Sequence, residues 1–465
     1  MKKTFSKLFR LKHSFSSFVL LALGLFVFPP AVYAASAGHS DHYVLLFGLA
    51  TILVAAKVFH IIERVKQPPV LGELTAGIVL GNLVLFGFNG MIPVFSNETI
   101  KFLAELGVIV LLFQIGLESN VKELTKVGVT SLLVALVGGL LPFAIGAFLV
   151  SPLLIPDAAL PTHLFIGASL AATSVGITAR VFKDADQMQS KFAKIVIGAA
   201  VLDDILGLIL LSMVATMAEY GAITLEQFAE VTLESIGFLV ISIFVGQLIA
   251  PWLSKFFSVL NTGAGTKLTL SLAFCLVYAG IAQAFGLEAI LGAFAAGLVL
   301  DPVHFAKFQA PHVVKDIRSV LSTASTTMKQ KIDQVLDHHI AKSVDDLIEP
   351  VAYFLVPIFF VVTGSQVELS SLFTVQTVLL ASVLTVVAVA TKFSAGIFAP
   401  KGMRSIVGLA MVPRGEVGLI FASIGRGLGV LDASQFSVIV LTVLLTTLIG
   451  PTLLSIRLAQ KQLSA

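Results

Sequence analysis

The segment VLDDILGLIL, residues 201–210, places two adjacent carboxylates, Asp203 and Asp204, in an apolar run with no other charge. A central Asp costs a membrane-spanning helix about 2.5 to 3.5 kcal/mol on insertion scales, and such groups face a cavity or a partner. A buried ion pair that only locks helices together needs one acid and one base, so the second acid exceeds that need. Neighbours on a helix point about 100° apart. One carboxylate can therefore face a water-filled cavity while the other meets a neighbouring helix. A carboxylate among hydroxyls, carbonyls and water takes up either a proton or a hard monovalent cation.

A base for this site exists in AVATKFSAGIFA, where Lys392 lies well inside an apolar span. A Lys–Asp pair at depth is stable through mutual neutralisation and is switched by moving one proton. Structural pairing alone and a coupled titrating role both fit these residues. Two further segments break helical rules. ASLAATSVGITARVF, residues 168–182, sets Thr173, Ser174, Gly176 and Thr178 at mid-span, and LAMVPRGEVGLIF, residues 409–421, sets Pro413, Arg414, Gly415 and Glu416 there. Lipid tolerates an interrupted backbone only where the freed groups line a cavity or meet protein. Unwound carbonyls and half-helix ends coordinate ions at transporter midplanes. For Arg414 and Glu416, an intrahelical salt bridge and a direct role in the site are both open.

These residues need a bilayer around them, and the composition supplies it. The chain of 465 residues is 57% hydrophobic and 12% charged, with a mean hydropathy of +0.99. Soluble domains carry about 25% charged residues, so the sequence predicts an all-α polytopic membrane protein. A net charge of +3 gives no footprint for nucleic acid, and the single cysteine, Cys275, excludes an internal disulfide or a cysteine metal cluster. No cofactor is expected.

Thirteen apolar stretches follow residue 40, at 43–62, 69–86, 101–117, 127–150, 162–182, 192–218, 230–256, 267–285, 287–301, 349–363, 372–398, 403–425 and 434–457. Before them, MKKTFSKLFRLKH is basic, FVLLALGLFVF is a short apolar core and PPAVYAASA offers small residues. This pattern predicts a signal peptide over 1–37, cut after Ala34 or Ala37; an uncleaved extra helix is the other reading. Both leave Ser40 outside, and cleavage makes that end the mature N-terminus. Alternation then places Arg64, Lys66, Lys122, Lys126, Arg180, Lys183, Lys191, Lys255, Lys267, Lys401 and Arg404 in cytoplasmic loops, against Lys101 and Arg426 outside. That asymmetry obeys the positive-inside rule and puts the short tail, 458–465, in the cytoplasm. The transmembrane part divides into 43–302 and 349–457 around a polar linker, 303–348, with an amphipathic stripe at Met328, Ile332, Val335, Leu336 and Ile340. The linker also holds His304, His312, His338 and His339, which would suit a pH sensor.

An internal repeat is legible. LGELTAGIVLG at 71–81 resembles LGAFAAGLVLD at 291–301, and LLFQIGLESNVKEL at 111–124 resembles FFVVTGSQVELSSL at 359–372. In the alternating topology the two copies of each motif run in opposite directions. Inverted repeats of this kind build many secondary transporters, with the substrate site at the midplane between them. The spans 162–182 and 403–425 fall at equivalent places in the two halves.

Together, ATSVGITARVF, VLDDILGLIL, TKFSAG and GMRSIVGLAMVPRGEVGLIFA resemble the monovalent cation:proton antiporter-2 family over about residues 43–457. The resemblance implies the sodium/proton antiporter fold, with inverted repeats and two crossing broken helices. It also implies a homodimer in a bacterial inner membrane, with a dimerisation domain and a mobile core formed by spans 5–7 and 11–13. It assigns Asp204 as the carboxylate that takes Na⁺ or H⁺, Asp203 as the partner of Lys392, and Thr173 and Ser174 as the broken-helix position beside the ion. Arg414 and Glu416 match the polar pair of the second broken helix. The Asp-Asp pair with a lysine resembles the electrogenic, sodium-preferring type, with Li⁺ as a further substrate. A K⁺/H⁺ antiporter of the potassium-efflux type is the alternative. An aspartyl protease needs its two acids on separate facing helices, and a channel needs a pore-lining series; neither pattern is present.

Overall fold

The computed structural model describes residues 42–61, 68–118, 128–188, 190–220, 225–260, 263–285, 287–300, 344–372 and 374–463, and among these there is no β-strand. The expected signal peptide, the linker histidines, Arg64, Lys66, Lys122 and Lys126 lie outside the described residues. So do the side chains of Arg180, Lys183 and Glu416.

Fifteen helices account for the thirteen expected spans, because two spans are broken. The first three are α1 (His42–Phe59), α2 (Pro69–Gly81) and α3 (Glu98–Glu118). Then come α4 (Val129–Ile145), α5 (Leu160–Ser169), α6 (Val175–Asp184), α7 (Lys191–Tyr220) and α8 (Leu225–Leu260). These are followed by α9 (Ala264–Ala284), α10 (Ala289–Val299), α11 (Asp345–Ser365) and α12 (Val375–Ala395). The chain closes with α13 (Arg404–Ala410), α14 (Glu416–Gly427) and α15 (Ala433–Leu463). Local signals set several of these boundaries. Pro69 starts α2 at the position where a missing N–H costs nothing. The Thr374 side chain caps α12 by accepting from Thr377 N. Pro142 inside α4 precedes a π-turn, Gly146–Val150, before the chain continues in Ser151–Leu154.

Seven described helices are long and apolar enough to cross a membrane; α1, α2, α10, α14 and the apolar part of α8 fall below that length. All thirteen stretches are apolar, yet they are not thirteen full-length lipid-facing spans. The eleven residues of α10 are all buried, so protein rather than lipid surrounds this helix. Lys191, Lys267 and Arg404, expected in loops, instead lie in the first turns of α7, α9 and α13, and Lys255 lies within α8. Lys267 is buried and feels the charge of Asp346 at the start of α11.

The chain divides into two units, one holding residues up to Gly107 and Phe354–Phe373, the other Val108–Tyr353 and Thr374–Ala465. The internal repeat is visible within each. In the first, a Cβ on Gly77 of α2 would lie 2.8 Å from Gly364 Cα of α11 and would meet the Val361 carbonyl. In the second, a Cβ on Gly297 of α10 would lie 2.8 Å from the carbonyl carbon of Gly116 in α3 and would meet the Phe113 carbonyl. The motif pairs read from the sequence thus make the same glycine-on-glycine crossing twice, the first copy of one motif meeting the second copy of the other. Glycine is required there because any Cβ would strike backbone.

Six spans surround the residues singled out above: 4, 5, 6, 11, 12 and 13, built from α4, α5–α6, α7, α12, α13–α14 and α15. They touch one another throughout, α4 lying against both α7 and α12. The expected core included span 7; the structure puts span 4 there instead. Span 4 carries no charge, so nothing in its residue types announced the role.

Candidate functional site

Both broken spans fail at the same kind of sequence. After α5 the chain turns at Leu170–Ala171 and runs extended through Ala172, Thr173 and Ser174 before α6 begins. After α13 it turns at Met411 and runs extended through Val412, Pro413, Arg414 and Gly415 before α14. Pro413 lacks the N–H that a continuing helix needs, and in the first break Thr173 and Ser174 offer side-chain hydrogen bonds that compete with the helical ladder.

The two extended stretches satisfy each other's backbone. Ser174 N donates to Pro413 O at 2.9 Å. Thr173 Oγ1 donates to Met411 O at 3.3 Å, Thr178 Oγ1 to Ala410 O at 2.7 Å, and Arg414 Nη1 to Ala172 O at 2.7 Å. Thr447 Oγ1 of α15 donates to Arg414 O. A Cβ on Gly415 would sit 2.7 Å from the Ser174 side chain, so glycine allows the crossing to close. All of these groups are buried, and unpaired buried backbone groups would cost about 1–3 kcal/mol each.

Beside the crossing, Lys392 Nζ of α12 donates to Asp203 Oδ2 of α7 at 2.8 Å, with both side chains fully buried. Charge pairing of Lys392 with Asp203 is therefore a feature of the folded chain. Asp204, the next residue, is 6% exposed, and its charge, with that of Arg414, also acts on Lys392. Arg414 is fully buried, and its Nε and Nη2 find no acceptor among the described residues, nor does Asp203 Oδ1 find a donor. Room for the pair comes from α4: a Cβ on Gly139 would lie 3.0 Å from Asp203 Oδ1, while one on Gly138 would make ordinary contact with Lys392 Cδ at 3.8 Å. These glycines and Thr447 escaped the reading of the sequence. The only available signal was Gly-Gly in mid-span. Of the expected residues, Asp203, Asp204, Thr173, Ser174, Lys392 and Arg414 gather in this one place; the side chain of Glu416 lies outside what is described.

The repeat provides an internal control. With an offset of 243, Leu202, Asp203, Asp204 and Gly207 of α7 correspond to Leu445, Thr446, Thr447 and Gly450 of α15. The packing corresponds too. A Cβ on Gly207 would meet Ala172 of the first break, and one on Gly450 would meet Pro413 of the second. Two threonines suffice at this position in the second half, so the architecture does not require carboxylates in the first.

The chain as a whole is similar to known proteins. A family model described as "Sodium/hydrogen exchanger, transmembrane" matches residues 48–460. The high-affinity Na(+)/H(+) antiporter NhaS3 of Synechocystis sp. is 35% identical over 444 residues, 88% of each chain. The Na(+)/H(+)-K(+) antiporter GerN of Bacillus cereus is 31% identical over 89% of this chain and 96% of its own. Among solved structures, the sodium proton antiporter MjNhaP1 of Methanocaldococcus jannaschii superposes with a TM-score of 0.64 at 16% identity, over 90% of this chain and 99% of that one. The described helices therefore adopt the sodium/proton antiporter fold, and the chain belongs to the sodium/hydrogen exchanger family of transmembrane transporters.

Proposed function

We propose that the protein exchanges intracellular Na⁺ for external H⁺ through Asp204, with Thr173, Ser174 and the carbonyls of the broken stretches beside it. The observation that carries this reading is the buried Asp203–Lys392 pair of 2.8 Å next to a second carboxylate, at the crossing of two broken spans. Asp203 is paired with its lysine, and the exchange of cation for proton is assigned to the second carboxylate at the crossing, Asp204, whose charge also acts on Lys392. One carboxylate holds Na⁺ or H⁺ but not both, so competition couples the two fluxes. If only Asp204 exchanged its occupant, the Na⁺-loaded and H⁺-loaded forms would carry equal charge. Proton release from the Asp203–Lys392 pair on Na⁺ entry adds a second proton per cycle and makes exchange electrogenic.

The reading extends to a homodimer in a bacterial inner membrane, with residues 1–37 a signal peptide, the mature N-terminus outside and the C-terminus cytoplasmic. Supporting this, Lys57, Lys191, Lys194, Lys267, Arg404 and Lys461 fall in the first or last turns of helices at ends that alternation places inside, in keeping with the positive-inside rule. The printed name of GerN, which includes K⁺, keeps K⁺/H⁺ exchange as the second reading; Li⁺ is the further candidate substrate.

The test uses purified protein in liposomes with an inside-acid pH gradient and a pH dye followed on addition of Na⁺, Li⁺ or K⁺. Wild type should respond to Na⁺, and Asp204→Ala should abolish the response. A response to K⁺ alone would overturn the ion assignment. No response to any cation would overturn the antiport reading.

A further inference from the structure

The ends of spans 11 and 13 gather charge of one sign. α12 passes through the turn Gly396–Phe398 towards α13, and α15 lies against both helices. Buried Ala395, Ala399, Ile406, Leu454 and Leu458 join the three in one apolar cluster. Around it stand three exposed bases, Lys401, Arg404 and Arg457, with Lys461 one turn beyond Arg457. The helices α12, α13 and α15 carry no acidic residue.

Both arginines are held by neutral groups. Arg404 Nε donates to Ala399 O at 3.2 Å. Arg457 Nε donates to Ser405 Oγ at 2.9 Å, and its Nη1 to Gln460 Oε1 at 3.2 Å. The bond to Ser405 brings Arg457 to the residue that follows Arg404. Among the described residues neither arginine pairs with a carboxylate. Like charges gathered without an acid repel one another, so an anion between them is favoured. The guanidinium N–H groups that these tethers leave over are the kind that grip a phosphate in pairs.

Apolar surface begins where the charge ends. Ile397, Phe398, Leu453 and Ile456 are exposed. Phe398 precedes the residue that anchors Arg404, and Ile456 precedes Arg457. A phosphate held here therefore has room for acyl chains directly beside it, which a free phosphate does not need. Basic pockets between spans suit anionic headgroups. Net charge selects among lipids too, because the ammonium of a zwitterionic headgroup is repelled by Lys401 and Lys461.

We propose that Arg404 and Arg457 bind an anionic phospholipid, its phosphate on the two guanidinium groups and its acyl chains along Ile397, Phe398, Leu453 and Ile456. The test reads bound lipid rather than cation movement, so it stands apart from the proposed transport. Full-length protein, delipidated in detergent, is offered equimolar phosphatidylglycerol and phosphatidylcholine with identical acyl chains and examined by native mass spectrometry. Wild type should retain phosphatidylglycerol in preference. Arg404→Gln with Arg457→Gln should lose that preference, by about fivefold for each arginine. Lys191→Gln with Lys194→Gln, which removes as much charge at the start of α7, should keep most of it. Thermal unfolding verifies that each variant is folded, and Arg457→Gln alone serves if the double variant is not. Wild type without a preference would overturn the proposal. So would equal losses in the arginine and lysine variants, which would leave only diffuse attraction to positive charge. Prior incubation with excess inorganic phosphate, against chloride of the same ionic strength, should leave the lipid bound; its displacement would assign the arginines to a free phosphate instead.

Discussion

At the scale of residues, the energetics centre on Asp203 and Lys392, both fully buried and 2.8 Å apart. Removing one partner of a buried ion pair leaves an uncompensated charge and costs about 3–5 kcal/mol, whereas replacing both is often close to neutral. Lys392→Met alone should therefore destabilise the protein by that amount, and Asp203→Asn with Lys392→Met should recover most of it. Thermal unfolding in detergent checks the prediction, and equal losses in the single and double variants would contradict it. Asp204 makes a separate prediction. If Na⁺ and H⁺ compete for its carboxylate, raising the pH removes the competitor, so the KM for Na⁺ should fall as pH rises. In the range where protons occupy the site, the fall should approach about tenfold per pH unit, since each decade of competitor corresponds to about 1.4 kcal/mol. Liposome transport measured across external pH tests it; a KM independent of pH would exclude competition at one site.

At the scale of elements, close backbone approach decides what can be substituted. Gly297 faces the backbone of Gly116, and Gly415 faces the Ser174 side chain. Forcing a methyl group into such packing costs about 1–3 kcal/mol. Gly297→Ala should lower the thermal midpoint with its Na⁺ KM unchanged, because its close neighbours are Phe113, Gly116 and Leu117 rather than residues of the broken stretches. Gly415→Ala should instead impair transport more than stability, because the Ser174–Pro413 bond beside the site must shift. Glu73 belongs to this scale as well. It is buried in α2 and pairs with His60 at 2.9 Å, while its repeat counterpart in α10 is Ala293. As at Asp203 and Thr446, one half carries a charge that the shared architecture does not require.

For the whole molecule, the consequence of a second proton is a dependence on membrane voltage. One charge moved across 100 mV is worth about 2.3 kcal/mol, close to a fiftyfold change in the equilibrium ratio. Wild-type exchange should respond to an imposed potential on that order, and the Asp203→Asn, Lys392→Met double variant should not. Exchange that remains voltage-dependent in a folded double variant would remove the pair from the proton count.

The sequence by itself determined the membrane class, the helical spans, the repeat and the identity of the charged residues. Insertion into a bilayer is scored residue by residue, so two carboxylates and a lysine in apolar runs stand out without knowledge of their neighbours. The glycine motifs were legible for the same reason, since each copy carries its own pattern. Only the tertiary structure decided which groups meet. Asp203 and Lys392 are 189 residues apart, and nothing local to either names the other. The uncharged span of α4 lies against that pair because Gly139 leaves space for the Asp203 carboxylate, a property that depends on the helix opposite. The two breaks were visible as polar and proline residues, but their mutual satisfaction through Ala172, Met411 and Pro413 uses backbone atoms that every residue has. Side-chain type marks where a charge must be accommodated; shape complementarity between distant segments determines what accommodates it.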